Sequence, residues 1–259
     1  MQYEENKVYQ KIYEDLNELN ILRLFNVVRE RLFMAIANGG PKSYVNSALP
    51  EHLEKTNLSD KQKEILTKLI KPEEEESGIS FKHYSTAIRE TDIEYFVLNG
   101  TDLSSIVEGA SPAGAYISDI VPDPEKPDSK ILSSLIIVSE SDSRINENTY
   151  SITIKHELVH LVIRVIEFIS HYIIGKDPKL SEEDAELFEE FLCDFVPFAS
   201  DPSLKGNGLI ERYKDVSETY MNKMTDAFQP YLNAMYEYYT KDTETDASSV
   251  KDTSKNSEE

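Results

Sequence analysis

Residues 151 to 174, SITIKHELVHLVIRVIEFISHYII, are apolar on nearly every side of a helical projection. Turned at about 100° per residue, Thr153, His156, Glu157, His160, Arg164, Glu167 and His171 fall in one sector roughly a quarter-turn wide. A helix apolar on most of its circumference has to be buried. A polar stripe inside it must then be met by hydrogen bonds, charged partners or a metal ion. Other elements therefore have to wrap this helix and bring polar chemistry to one side of it.

The remaining sequence supplies those elements. Val8, Ile12, Leu16, Leu19, Leu22, Leu24 and Phe25 make an apolar stripe that predicts one helix over 3–37, stopped at Gly39-Gly40-Pro41. A second helix starts after Ser59, which pairs with Gln62 as a capping box, and stops before Pro72. Glu73 to Glu76 read as a solvated connector, because adjacent carboxylates repel one another. From residue 79 the texture turns to short β-rich pieces, IEYFVL at 93–98, AYISDIV at 115–121 and SLIIVS at 134–139, punctuated by prolines. SLIIVS reads as a core strand; were it an edge, it could take up an extended substrate. A helix over 181–196 follows, capped by Ser181 with Asp184 and ended by Pro197, then a tyrosine-rich helix over 209–239. Residues 241–259 carry almost no apolar side chain and are expected to be disordered. The fold class is α+β: a mainly helical domain over 79–240 with a small mixed sheet packed on the helix of the polar stripe, N-terminal helices over 1–78, and the tail.

The net charge of −21 and pI near 4.6 argue against direct binding to nucleic acid or to an anionic membrane, since the basic residues do not segregate. The start MQYEENKVYQ has no basic and apolar leader, and charges interrupt the longest apolar run, so a soluble, cytoplasmic protein is expected. The single cysteine, Cys193, excludes an intrachain disulfide and a CxxC knuckle. Only nine glycines are present, without GxxxxGK, GxGxxG or GxSxG, which disfavours nucleotide chemistry.

Within the stripe, His156-Glu157-Leu158-Val159-His160 is an HExxH motif. Side chains at i and i+4 lie about 6 Å apart at Cβ, so two imidazoles can converge on one ion at bonds of about 2 Å. Glu157 sits beside the pair and is placed to hold a water as general base. A catalytic zinc needs one more protein ligand. No third histidine follows at short spacing, but SEEDAELFEEFLCDF offers Glu183, Glu186, Glu190 and Asp194 on one helical face, with Glu182 and Glu189 projecting elsewhere. Glu190 is the expected third ligand, with Glu186 as fallback. Asp194, one turn on, would orient a ligand histidine. The connector GKDPKLS has to span only about 10 Å for the two helices to run antiparallel with these groups facing each other. Arg164 and Glu167 are spaced to pair with each other, and His171 reads as a helix-end residue.

HExxH followed by Glu190-Phe191-Leu192-Cys193-Asp194 resembles the gluzincins, and the lead-in NENTYSITIKHELVH resembles the ImmA/IrrE family of bacterial and phage-borne metallopeptidases. The likeness covers about residues 79 to 200, with Val159 where that family commonly has glycine and Cys193-Asp194 where it has Ala-Asn. It implies a zincin-like fold and zinc (Zn2+) held by His156, His160 and Glu190, with Glu157 as base. It also implies a metallo-endopeptidase acting on a protein or peptide substrate such as a transcriptional regulator. Two rivals come from other classes: a non-catalytic zinc-binding protein, which would have no need of Glu157, and an acidic interaction protein mimicking DNA, which would spread its carboxylates along one surface.

Overall fold

The computed structural model describes residues 11, 14, 17–39, 43–73, 80–88, 90–98, 101, 103, 113–140, 147–176, 181–200, 222, 225–234 and 236–237, although within these the side chains of 35, 38, 39, 147–151, 184, 187, 198 and 200 are not described. The expected tail over 241–259, the connector from Glu74 to Glu76 and all of 209–221 lie outside the described residues.

The elements follow in the order α1 (Ile21–Gly39), β1 (Ser43–Tyr44), a short 3-10 turn (Asn46–Ala48), α2 (Leu49–Glu54), α3 (Asp60–Ile70), β2 (Phe81–Ile88), β3 (Thr91–Leu98), β4 (Gly114–Pro122), β5 (Lys130–Ser139), α4 (Glu147–Phe168) with a π-helical end (Ile169–Ile174), and α5 (Glu182–Ser200). Residues 225–234 are also helical. The architecture is α+β with one mixed sheet, and among the described residues no helix is long and apolar enough to cross a membrane.

The chain divides by contact into two compact units. One contains residues 1–24, 166–188 and 210–259; the other contains 25–165 and 189–209. In the first unit Phe188 packs on Phe228 at 5.0 Å between ring centroids, and Arg23 donates to Tyr236 Oη at 3.1 Å.

The second unit holds the sheet, in the order β1-β2-β3-β5-β4, with β3 and β5 parallel and the other pairs antiparallel. SLIIVS belongs to β5, which is paired on both sides, so it is the core strand expected from its apolar run and not an edge. Among the described strands the edges are β1 and β4. Leu49, Leu53, Leu66 and Leu69 of α2 and α3 share a core with Phe81, Phe96, Leu98, Leu135 and Ile137, so the helices drawn into the N-terminal region cover one face of the sheet. The opposite face meets α4. There Gly114 of β4 comes so close that a Cβ built on it would lie 2.5 Å from Thr153 Cγ2 and 2.9 Å from Glu157 Oε1.

The Ser59 capping box forms as expected, and Gln62 does more than cap. Fully buried, its Nε2 donates to the carbonyls of Ile117 (3.0 Å) and Ser133 (3.1 Å), while its Oε1 accepts from Ser133 Oγ (2.8 Å) and the Ser59 N–H (2.8 Å). One side chain thus fastens α3 to β4 and β5. Replacing it by alanine leaves buried polar groups without partners, for which a cost of about 2–4 kcal/mol is expected. Chemical denaturation of Gln62→Ala measures this, and a loss below about 1 kcal/mol would show the bonds to be dispensable.

Two expectations fail locally. The helix expected over 3–37 breaks at Leu19-Asn20, where Asn20 takes φ 58° and its carbonyl accepts from Leu24 N–H (3.1 Å) to open α1. Asparagine tolerates this left-handed conformation because its short side chain bonds locally. The other failure is Pro197, which lies inside α5 instead of ending it. The buried residues Phe191, Leu192, Phe195 and Val196 hold the helix through the proline, and tertiary packing outweighs the hydrogen bond that proline removes.

Candidate metal centre

α4 is buried along Ile154, Leu158, Val159, Leu161, Val162, Ile163 and Val165, as its apolar circumference demands. The part of the polar stripe from His156 to Arg164 faces α5: Glu157 is 4% exposed, and His156 and His160 are partly buried. The two imidazoles stand 5.0 Å apart at their centroids with an interplanar angle of 68°.

Each histidine has a carboxylate at Nδ1. Asp194 Oδ1 lies 3.3 Å from His156 Nδ1, the orienting contact expected of Asp194. His160 Nδ1 meets Glu189 Oε1 at 2.7 Å, and the other oxygen of Glu189 accepts from Arg164 Nη2 at 3.0 Å. This corrects the expectation that Glu189 projects away from the site. The helical face was drawn through Glu183, Glu186 and Glu190, all of which are exposed, whereas the face turned to α4 runs between the Glu189-Cys193 row and the Glu190-Asp194 row. Glu189 is buried despite its charge, flanked by buried Phe188, Phe191 and Leu192. The legible signal was that flank: a carboxylate set among large apolar residues on a helix has to be paired.

Glu190, expected as third ligand, brings Oε1 to 3.8 Å from His160 Nε2, with its side chain 51% exposed. Glu186 is exposed. Cys193, fully buried one turn after Glu189, supplies a donor that was not foreseen. Ligand atoms of His156, His160 and Cys193 all lie within 4.8 Å of one another, a group able to hold a metal ion. The chemistry of the set fits one, with two imidazoles steered by carboxylates, a soft sulfur and a nearby carboxylate.

Burial raises the Glu157 carboxyl above its ordinary range, against the lowering pull of His156 and His160. At His156 burial works to lower the imidazole, but Asp194, with the charges of Glu157 and Glu190, outweighs it and the net shift is upward. Burial, reinforced by the surrounding carboxylates, pushes the Cys193 thiol well up. Tyr116 of β4 lies parallel to the His160 ring, 6.2 Å between centroids, and meets Ser134 Oγ at 3.0 Å. Burial raises its phenol, so the hydroxyl stays protonated beside the site. Elsewhere along the stripe, Arg164 bonds Glu189 and His171 is exposed.

Compared with known proteins, the chain matches no family model, no curated protein and no solved structure.

Proposed function

We propose that this protein is a zinc-dependent metallo-endopeptidase. The observation that carries the reading is the pair of carboxylates at the two Nδ1 atoms of an HExxH motif, which leaves Nε2 of each imidazole as the nitrogen to offer an ion, beside a buried Glu157. His156 and His160 would hold the ion, with a third donor from α5. A bound zinc supplies Lewis-acid polarisation of the scissile carbonyl and of the attacking water. Glu157 takes the proton from that water and delivers it to the leaving amine. Asp194 and Glu189 keep the imidazoles in register, and Arg164 fixes Glu189. The intact base is what a purely structural zinc site would not need.

β4 supports a peptide substrate. It is an edge among the described strands, and its residues Gly114 and Tyr116 lie against Glu157 and His160. An extended chain adding to that edge by main-chain pairing would pass the base. The family resemblance points to a transcriptional regulator as the kind of protein cut.

The test is metal content together with cleavage of a peptide library, read by mass spectrometry. Wild-type protein is expected to carry about one zinc per chain, to lose both metal and cleavage to a strong chelator, and to regain both on adding zinc. His160→Ala is expected to retain no stoichiometric zinc. A wild-type chain that binds no zinc even when supplied with it sinks the reading.

A further inference from the structure

α5 offers two different donors to the histidine pair. Cys193 Sγ lies in the group whose ligand atoms all fall within 4.8 Å of one another, and its side chain is fully buried. Glu190 Oε1 stands 3.8 Å from His160 Nε2 with half its side chain in solvent. With metal bonds of about 2.0–2.1 Å to nitrogen and about 2.3 Å to sulfur, a tetrahedral site separates N from S by about 3.6 Å. With no ligand-atom separation above 4.8 Å, the group as it stands needs to close by at most about 1.2 Å between nitrogen and sulfur, and about 1.5 Å between the two nitrogens, to grip an ion.

The two donors differ in what leaving the ion would cost. The Glu190 carboxylate is at the surface and turns into water at little expense. Cys193 has no such escape, since its side chain is fully buried and a sulfur released from the ion stays out of water. A thiolate also selects zinc over magnesium, calcium or manganese, which prefer oxygen ligands.

We propose that Cys193 is a ligand of this centre, so that the ion is held by His156, His160 and Cys193 while Glu190 is the exchangeable donor that yields its place to water. The proposal rests on the metal-dependent reading above but departs from the two-histidine, one-glutamate set that the resemblance implies. On binding, a metal–sulfur bond forms and the thiol proton passes to bulk water. With Glu190 engaged the ion has four protein donors and no open position; with Glu190 turned away it has three, as a catalytic site requires. Movement of one surface carboxylate thereby decides whether the centre is closed or open.

The full chain, stripped of metal and reloaded with cobalt(II), tests this without relying on activity. Thiolate-to-cobalt charge-transfer absorption in the near ultraviolet is expected, and because Cys193 is the only cysteine no other residue can produce it. The band should persist in Glu190→Gln and vanish in Cys193→Ser. In competition with a chromophoric chelator, zinc affinity should fall about tenfold or more in Cys193→Ser and by no more than about threefold in Glu190→Gln. The wild-type spectrum decides the matter even if the serine variant folds poorly. Cobalt bound without the band, or an ion lost from Glu190→Gln but kept by Cys193→Ser, overturns the assignment and leaves the metal reading standing. A chain that binds neither cobalt nor zinc overturns both.

Discussion

Glu157→Gln is expected to lower turnover by about 10²–10⁴-fold while the protein keeps its metal. The amide is nearly isosteric and fills the same buried space, but it cannot accept the proton of the attacking water. Glu157 stands outside the group of His156, His160 and Cys193, so metal content should not follow activity. The same base can be disturbed without touching it. At Gly114 a methyl group would lie 2.9 Å from Glu157 Oε1 and 2.5 Å from Thr153 Cγ2, both closer than side chains tolerate. Either the carboxylate swings away or β4 recedes from α4. Gly114→Ala is therefore expected to cost on the order of 10–100-fold in kcat, with metal content and helical circular dichroism unchanged. Measuring cleavage of one library peptide by wild type and both variants, each with its zinc content, checks the pair. Full activity in Glu157→Gln would remove Glu157 as the base, and full activity in Gly114→Ala would show that β4 does not position it.

The helix bearing the motif was legible because two constraints coincide there. Its apolar circumference demanded burial, and its single polar stripe demanded a partner. Burial of Leu158, Val159, Leu161 and Val162 around partly exposed His156 and His160 is the result. The capping box at Ser59 was equally readable, since it is a local rule satisfied by local atoms. What could not be read was the rotation of α5 about its own axis. A helical projection groups residues by angle but does not say which angle faces the neighbour. On an acidic helix the row richest in carboxylates turned out to be the solvated one, with Glu183 and Glu186 exposed. A rotation smaller than the step between adjacent residues moved Glu189 and Cys193 into the site and left Glu190 at its rim. The same limit hid Gln62's second task, because its bonds to Ile117 and Ser133 join residues 55 and 71 positions away.

Glu189 carries the other large expectation. Its carboxylate bridges His160 Nδ1 at 2.7 Å and Arg164 Nη2 at 3.0 Å, so it sets the ring orientation of one proposed ligand and neutralises a neighbouring guanidinium at once. Glu189→Ala frees the imidazole to rotate and to change tautomer, and leaves Arg164 without this partner near the proposed metal centre. Loss of such a partner typically weakens metal binding by about 10–100-fold, and the repulsion from Arg164 places the expectation at the upper end. Glu189→Gln keeps an oxygen that accepts from Nδ1–H but cannot serve Arg164 with a second charged oxygen, so it should recover much of the affinity. Zinc competition with a chromophoric chelator gives the three dissociation constants, and denaturation of the metal-free proteins separates ligand steering from a general loss of stability. A merely structural Glu189 would lower metal-free stability in both variants without ordering their affinities. Steering predicts wild type tightest, glutamine intermediate and alanine weakest, and any other order removes Glu189 from the centre.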